Sequence, residues 1–396
     1  MNQVLSYLRY FKEPLALQVI SGSLLIAYAT YYCVFVVRKP RIIFKSDSTF
    51  AQFLVKNCSV LSESYWPTFW CFGGRIQTVI GSVLKSHPKV KFRRELVQIP
   101  DGGELYLHWA DSETMVSSHP TVLVMPGLTG TYQHNYILQL VKKLRSLGHR
   151  VVVFNNRGLA GCKLKTPKAF CAACSKDLEF VISHLQMTHP RTPVIAIGYS
   201  LGGIILTNYL SKCGQENKEV GLIGAMTVSV PWNMFKSTES LEQPLNCFLF
   251  NRHLTKLLLG IFKENIAIAD LYKNEMPYDI EHVLRSKTVR EFDDRVIAPM
   301  FGFTNSSEYY AAATLHTKPL HSINIPLLCL SSVDDPFAPL HSIPISLIRK
   351  CSNILLVLTD YGGHIAFLEG IFPFGHSYMD RIASEFTQAM FQKCST

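Results

Sequence analysis

Charged side chains are scarce in this chain: Asp, Glu, Lys and Arg make up 17% of its 396 residues, where an average soluble domain carries about 25%. Together with a hydrophobic content of 48%, that shortage excludes a disordered, collagen-like or low-complexity polypeptide, because such chains cannot bury enough apolar surface to offset the entropy of ordering. A disulfide framework is lacking too. The eleven cysteines are odd in number and scattered from Cys33 to Cys394, which agrees with a reducing compartment. Cys171 and Cys174 alone have metal or redox spacing. With no second pair and no suitable histidine nearby, they are expected to pack within a helix. Internal repeats and long heptad runs are absent, which excludes solenoids and coiled coils. No nucleic-acid motif accompanies the basic balance, and nothing calls for a metal or cofactor.

What is present begins with an uncharged run. Leu15 to Val37 spans 23 residues without a charge, roughly 35 Å as a helix and enough to cross a hydrocarbon core of about 30 Å. A cleaved signal peptide would have an apolar region of about 7 to 15 residues and a small-residue cleavage site. Here Tyr31, Tyr32 and Phe35 lead into Arg38 and Lys39 instead, so a permanent anchor is expected over 15–37, after a tail over 1–14. Half of the net charge of +10 lies in residues 1–45, where Arg9, Lys12, Arg38, Lys39, Arg41 and Lys45 face Glu13 alone. These cations suit anionic headgroups. The larger cluster follows the anchor, which by positive-inside counting places the main domain in the cytosol. Asn57-Cys58-Ser59 and Asn305-Ser306-Ser307 are glycosylation acceptors if that domain is lumenal.

A membrane-proximal arm is expected over 38–92, where aromatic and basic residues mix without a clean period. Within it Trp66, Phe69 and Trp70 either sit at a lipid interface or pack the arm onto the globular part, and packing is the expectation. From Glu95 the pattern is regular. Glu95 to Ile99, the turn residues Pro100-Asp101-Gly102-Gly103 and the alternating Leu105, Leu107 and Trp109 read as a hairpin. Short apolar runs at 121–125, 151–154, 194–197, 222–230, 327–330 and 354–358 then alternate with helical patterns. Continuous apolar strands imply burial on both faces, and interleaved helices imply right-handed crossovers, so the fold class is α/β, a mostly parallel sheet flanked by helices over 93–394. A Phe-, Leu- and Met-rich helical stretch from about 231 to 319 interrupts the rhythm and reads as an inserted cap.

Gly198-Tyr199-Ser200-Leu201-Gly202-Gly203 follows one buried strand and precedes a helical pattern. A serine on that turn projects its hydroxyl, and flanking glycines let strand and helix approach, which is the context of a nucleophile elbow. A hydroxyl attacks only once a base takes its proton, and the base must be oriented by an acid. Asp335 follows the run at 327–330 and His364 follows that at 354–358 through Gly362-Gly363, giving the chain order Ser, Asp, His that this fold uses. Asp335 is preferred over Asp334 because Pro339, four residues on, suits a turn carrying the acid away from its strand; Asp334 suits bonding to backbone amides. Pro126-Gly127-Leu128-Thr129-Gly130 occupies the place of an oxyanion loop, so the N–H groups of Leu128 and Leu201 are the expected oxyanion hole. Arg157, in Asn155-Asn156-Arg157-Gly158, is expected to hold its loop rather than to meet a headgroup.

These residues resemble the membrane-anchored α/β-hydrolase domain-containing family (AB hydrolase 4 type), in the branch of its proteins one and three. The resemblance rests on Tyr65 to Cys71, Pro126 to Gly130, Phe154 to Gly158 and Gly362 to Gly370, beyond the generic elbow. It implies an α/β-hydrolase fold, with Ser200 as nucleophile, Asp335 as the acid of the relay and His364 as base. It further implies phospholipase activity on phosphatidylcholines with medium or oxidatively truncated chains, and a type II single-pass protein of the endoplasmic reticulum with a lumenal domain, against the charge count.

The expected function is a membrane-bound serine hydrolase cleaving acyl esters of lipids, a phospholipase of the A1 or A2 type acting on phosphatidylcholine through an acyl-serine. Its expected partners are that substrate and the lipid bilayer, with no nucleic acid and no obligate protein partner. The alternatives are acyl transfer to an alcohol and a catalytically silent membrane scaffold. The motif His376-Ser377-Tyr378-Met379-Asp380 does not supply an acyltransferase signature, since three residues rather than four separate its His and Asp.

Overall fold

The structure, a computed structural model, describes residues 2–84, 87–111, 119–190, 192–267 and 279–395. Strands β1 (Arg41–Ile43), β2 (Arg93–Gln98), β3 (Glu104–Ala110), β4 (Thr121–Met125), β5 (Arg150–Phe154), β6 (Val194–Tyr199), β7 (Gly224–Val228), β8 (Leu327–Ser332) and β9 (Ile354–Thr359) form one sheet in the order β1-β9-β8-β7-β6-β4-β5-β3-β2. Pairing is parallel from β5 through β4, β6, β7 and β8 to β9, and antiparallel at both edges. The continuous apolar runs have their cause in the alternation of side chains across a strand. In β4, Leu123 and Met125 enter one core, and Val122 and Val124 enter the other.

Each core is closed by helices that present one apolar face. α1 (Asn2–Tyr31) stands apart, α2 (Thr49–Asn57) and α4 (Asn135–Ser146) cover one side with the last helix, Tyr378–Ser395, and α5 (Lys176–Thr188) and α6 (Leu201–Gln215) cover the other. Helix α3 (Gly74–Val83) lies beside the loop after β9. The interruption between β7 and β8 is helical, from α7 (Met234–Glu242) through Arg252–Glu264 to Ser306–Ala313; part of it, 268–278, lies outside the described residues.

Three local expectations change. The expected arm, 38–92, contributes elements to the hydrolase body: β1 extends the sheet by pairing with β9 (Ile42 opposite Val357), and α2 buries Phe50 and Leu54 in the core. A three-residue edge strand is too short to show a period. Cys171 and Cys174 sit in a turn, closed by Cys174 N–H on Cys171 O at 3.2 Å, just before α5. The acidic Asp177 and Glu179 in the first turn of α5 favour starting the helix after the cysteines. Their packing reading otherwise stands, since Cys171 joins the core and burial pushes its thiol up to about 12. Among the described residues no group of three or more His, Cys, Asp or Glu is placed to hold a metal.

The third change concerns Trp66, Phe69 and Trp70, which are exposed rather than packed inward. Pro67 bridges to Glu369 and Thr68 N–H bonds Leu368 O at 3.0 Å, so the extended stretch buries Tyr65 and Pro67 with Trp66 outward between them, and the turn closed by Cys71 N–H on Thr68 O carries Phe69 and Trp70 at the surface. Their neighbours are on the apolar helix: ring centroids of Tyr32 and Trp66 lie 6.2 Å apart, and those of Tyr28 and Phe69 6.0 Å. Leu17–Val36 of that helix, 20 residues long, is apolar and long enough to cross a membrane, and its large apolar side chains are mostly exposed.

Candidate active site

β6 runs into α6 through Ser200, whose backbone takes φ +47° and ψ −112°, a conformation that side-chain-bearing residues avoid. The turn is this sharp because strand and helix touch. A Cβ on Gly202 would lie 2.5 Å from Met125 O, and one on Gly198 would lie 2.7 Å from Gly203 Cα. Glycine at 198 lets β6 and α6 close up, glycine at 202 lets α6 seat against the end of β4, and the buried Ser200 hydroxyl is thereby aimed across the ends of the strands.

The loops after β8 and β9 bring the other two groups to it. His364 Nε2 lies 3.0 Å from Ser200 Oγ, and His364 Nδ1 lies 2.9 Å from Asp335 Oδ2 and 3.0 Å from Oδ1. Residues 164 and 29 positions apart along the chain are thus joined in one relay. Asp335 is buried, and its Oδ1 also accepts the N–H groups of Phe337 at 2.7 Å and Ala338 at 3.1 Å. Those bonds fix the orientation of the carboxylate toward His364. Asp334 faces the other way: its Oδ1 accepts Gly363 N–H at 2.9 Å, and burial pushes its carboxyl up to about 7. The structure brings together Ser200, Asp335 and His364, with Asp334 holding the loop of the histidine.

The loop after β4 passes beside the serine. Gly130 N–H closes a turn on Gly127 O at 2.9 Å, and Gly127 N–H donates to the Tyr136 hydroxyl at 3.0 Å, which leaves Leu128 at the turn's second position, its N–H unused in the closure. Leu201 is the first residue of α6, where backbone N–H groups lack intrahelical partners and the helix end carries partial positive charge. Leu128 and Leu201 both line the cavity into which Ser200 and His364 face.

That cavity holds about 300 Å³ and is walled largely by apolar side chains, among them Met234, Leu241, Leu254, Leu257 and Phe337, most of them from the insertion. Asp293 is the acidic residue of that lining. It is buried in the same wall, accepts the Tyr310 hydroxyl at 2.9 Å, and is pushed up to about 7 by burial, with Asp294 adding in the same direction. The folded chain therefore holds this proton more tightly than the unfolded chain does, so the group makes stability fall as pH rises from about 4 to about 7. Asp293→Asn is expected to raise stability more at pH 8 than at pH 5, by more than about 1 kcal/mol, because only part of the loss has accrued at the lower pH. Urea midpoints at the two pH values check this, and a gain at pH 5 as large as at pH 8 would contradict it.

Arg157 holds its loop as expected. Its buried guanidinium bonds Asp177 Oδ2 at 2.6 Å through Nε and Asp101 at 3.0 Å through Nη1. Two residues of the site were not read from the sequence. Thr78 Oγ1 accepts His364 N–H at 2.9 Å, and Phe337 stacks on the imidazole with centroids 4.1 Å apart and planes 14° apart. Thr78 is 286 positions from the histidine, and no local pattern announces such a contact. Phe337, two residues after Asp335 in a Pro-flanked turn, carried a signal that proximity to the acid would have supplied.

Residues 120–371 match the family described as alpha/beta hydrolase fold. The chain is 43% identical over 386 residues to the protein named Phospholipase ABHD3 of Homo sapiens, covering 96% of this chain and 92% of that one. It is 27% identical over 374 residues to Monoacylglycerol lipase ABHD2 of Homo sapiens, with 89% and 86% covered. Its backbone is similar to that of esterase Pf2001 of Pyrococcus furiosus, with a TM-score of 0.46 and 16% identity over 76% of this chain and 92% of that one.

Proposed function

We propose, from the premise that this chain belongs to the α/β-hydrolase domain-containing family and is an ester hydrolase acting on lipids, that it is a membrane-bound phospholipase cleaving an acyl ester of phosphatidylcholine through an acyl-serine. The observation that carries the reading is the relay from Asp335 through His364 to Ser200, at 2.9 Å and 3.0 Å, opening into an apolar cavity. The relative named as a phospholipase supports the choice of substrate class.

In the proposed cycle His364 Nε2 takes the Ser200 proton as Oγ attacks the ester carbonyl, and Asp335 holds Nδ1–H so that Nε2 is the basic nitrogen. The carbonyl oxygen becomes negative between the N–H groups of Leu128 and Leu201, a contribution of about 10² to 10³ in rate per donor. His364 then returns the proton to the departing lysophospholipid oxygen, and the acyl chain remains on Ser200, its tail in the cavity. Water, deprotonated by the same imidazole, releases it as the fatty acid. The inserted helices serve as the cap that shapes the acyl pocket, and the span at Leu17–Val36 serves as the anchor that keeps the pocket near its substrate.

The full chain in vesicles of phosphatidylcholine with different acyl groups at its two glycerol positions is expected to release a lysophospholipid and one free fatty acid. Mass spectrometry of the products tells which ester is cut, and a chain that labels with a fluorophosphonate probe yet releases neither product would overturn the proposal. Alkyl ester accumulating with added alcohol would assign acyl transfer instead.

A further inference from the structure

Helix α3 has two sides that differ in kind. On one, Thr78, Gly81 and Ser82 line the catalytic cavity, and Thr78 holds the backbone of His364. On the other, Ile76, Val79 and Val83 form a stripe at spacings of three and four residues, with Ile76 54% and Val83 67% exposed. A surface helix packed by one side against a protein ordinarily turns polar residues outward, so an apolar outer stripe has an unmet partner.

The stripe continues past the N-terminal end of α3 toward two neighbours. Arg75 Nε donates to Asn246 Oδ1 at 2.7 Å and ties that end to the cap segment carrying the exposed Leu245 and the 71% exposed Phe248. At the same end α3 follows Phe72, whose ring meets Tyr31 and Tyr32 at the foot of the apolar span, where Trp66 and Trp70 are exposed. Amphipathic Trp and Tyr at the end of a span are what a headgroup layer accommodates best.

We propose that this face is a second membrane contact: the outer stripe of α3 and Phe248 lie in the boundary between headgroups and acyl chains of the bilayer that the span enters. The occupant is lipid because the apolar surface is continuous with the span, which fixes its distance from the membrane; a protein partner would need no such continuity. Seated this way, α3 is the partition between bilayer and cavity. A lipid ester then reaches Ser200 without carrying its acyl chain through water, where each exposed methylene costs about 0.8 kcal/mol. The inference rests on the lipid-hydrolase reading for its purpose, though not for its geometry.

The test uses the full chain in phosphatidylcholine vesicles, with Ser200→Ala to keep the lipid intact and Trp66→Phe and Trp70→Phe to lower the background. Val83→Trp and Phe248→Trp, added singly, should each be strongly quenched by phosphatidylcholine brominated on its acyl chains, whereas Trp109 and Trp232, both buried, should not. In the otherwise unaltered chain, Ile76→Asn with Val83→Asn should slow hydrolysis of a vesicle-embedded ester by about tenfold, the loss of roughly two partly buried methylenes, and leave hydrolysis of a short water-soluble ester unchanged. Absence of quenching at both positions overturns the proposal, including in favour of a protein occupant. Quenching in these variants, with no cleavage of bilayer lipid by the chain that keeps Ser200, would sustain this contact and defeat the phospholipase reading instead.

Discussion

Ser200→Ala is expected to lower ester hydrolysis by at least about 10⁴-fold and to abolish labelling by a fluorophosphonate probe. No other hydroxyl is within the 3.0 Å reach that His364 Nε2 has to Ser200 Oγ among the bonds of the described residues, so no side chain substitutes as nucleophile. What survives is the oxyanion hole and binding, which act on water attack directly. The same position makes a second, opposite prediction for stability. Ser200 is held at φ +47°, a strained backbone costing about 1–3 kcal/mol. Alanine keeps that strain, while glycine relieves it, so Ser200→Gly should raise the urea midpoint above both wild type and Ser200→Ala. Kinetics on a short soluble ester beside equilibrium unfolding of the three chains gives both answers. A Ser200→Ala chain that still labels would remove the serine from the chemistry.

Asp335→Asn is expected to cost about 10⁴-fold in kcat with little change in fold. Its oxygen Oδ1 is anchored by the N–H groups of Phe337 and Ala338. An asparagine there would keep its carbonyl oxygen on those two donors and turn its NH₂ toward His364 Nδ1. The imidazole would then carry its proton on Nε2, facing Ser200 with a donor where a base is needed. Asp334→Asn provides the contrast. That carboxyl is pushed up to about 7 by burial and accepts Gly363 N–H, a bond asparagine reproduces, so the loss should stay below about tenfold. Steady-state rates of the two variants, with unfolding midpoints to establish the fold, decide between the adjacent acids. Equal losses would mean that the second acid shares the relay.

Much of this was legible along the chain. The six parallel-paired runs from Thr121 to Thr359 read as buried strands because parallel sheets covered on both faces need apolar residues at consecutive positions. The elbow was legible because glycine at 198 and 202 is required by contacts as close as 2.5 Å. The order Ser200, Asp335, His364 was legible because successive strand ends each deliver one group to the same edge. The edge strand β1, at three residues, left no period to read, and Trp66, Phe69 and Trp70 followed a bridge to Glu369 more than 300 residues away that no local pattern encodes.

By itself the sequence determined the layers, the long apolar N-terminal helix, the serine and the histidine, and favoured Asp335 as their acid, since periodicity, charge and turn chemistry act between residues close in the chain. Only the tertiary structure decided that Asp335 rather than Asp334 meets the imidazole, that Thr78 and Phe337 hold it, and that α3 turns an apolar side outward beside the span. Those outcomes depend on which surfaces meet once the sheet has folded, and a hydrogen bond or a ring stack is decided by positions accurate to a fraction of an ångström, which hydrophobic patterning along the chain does not specify.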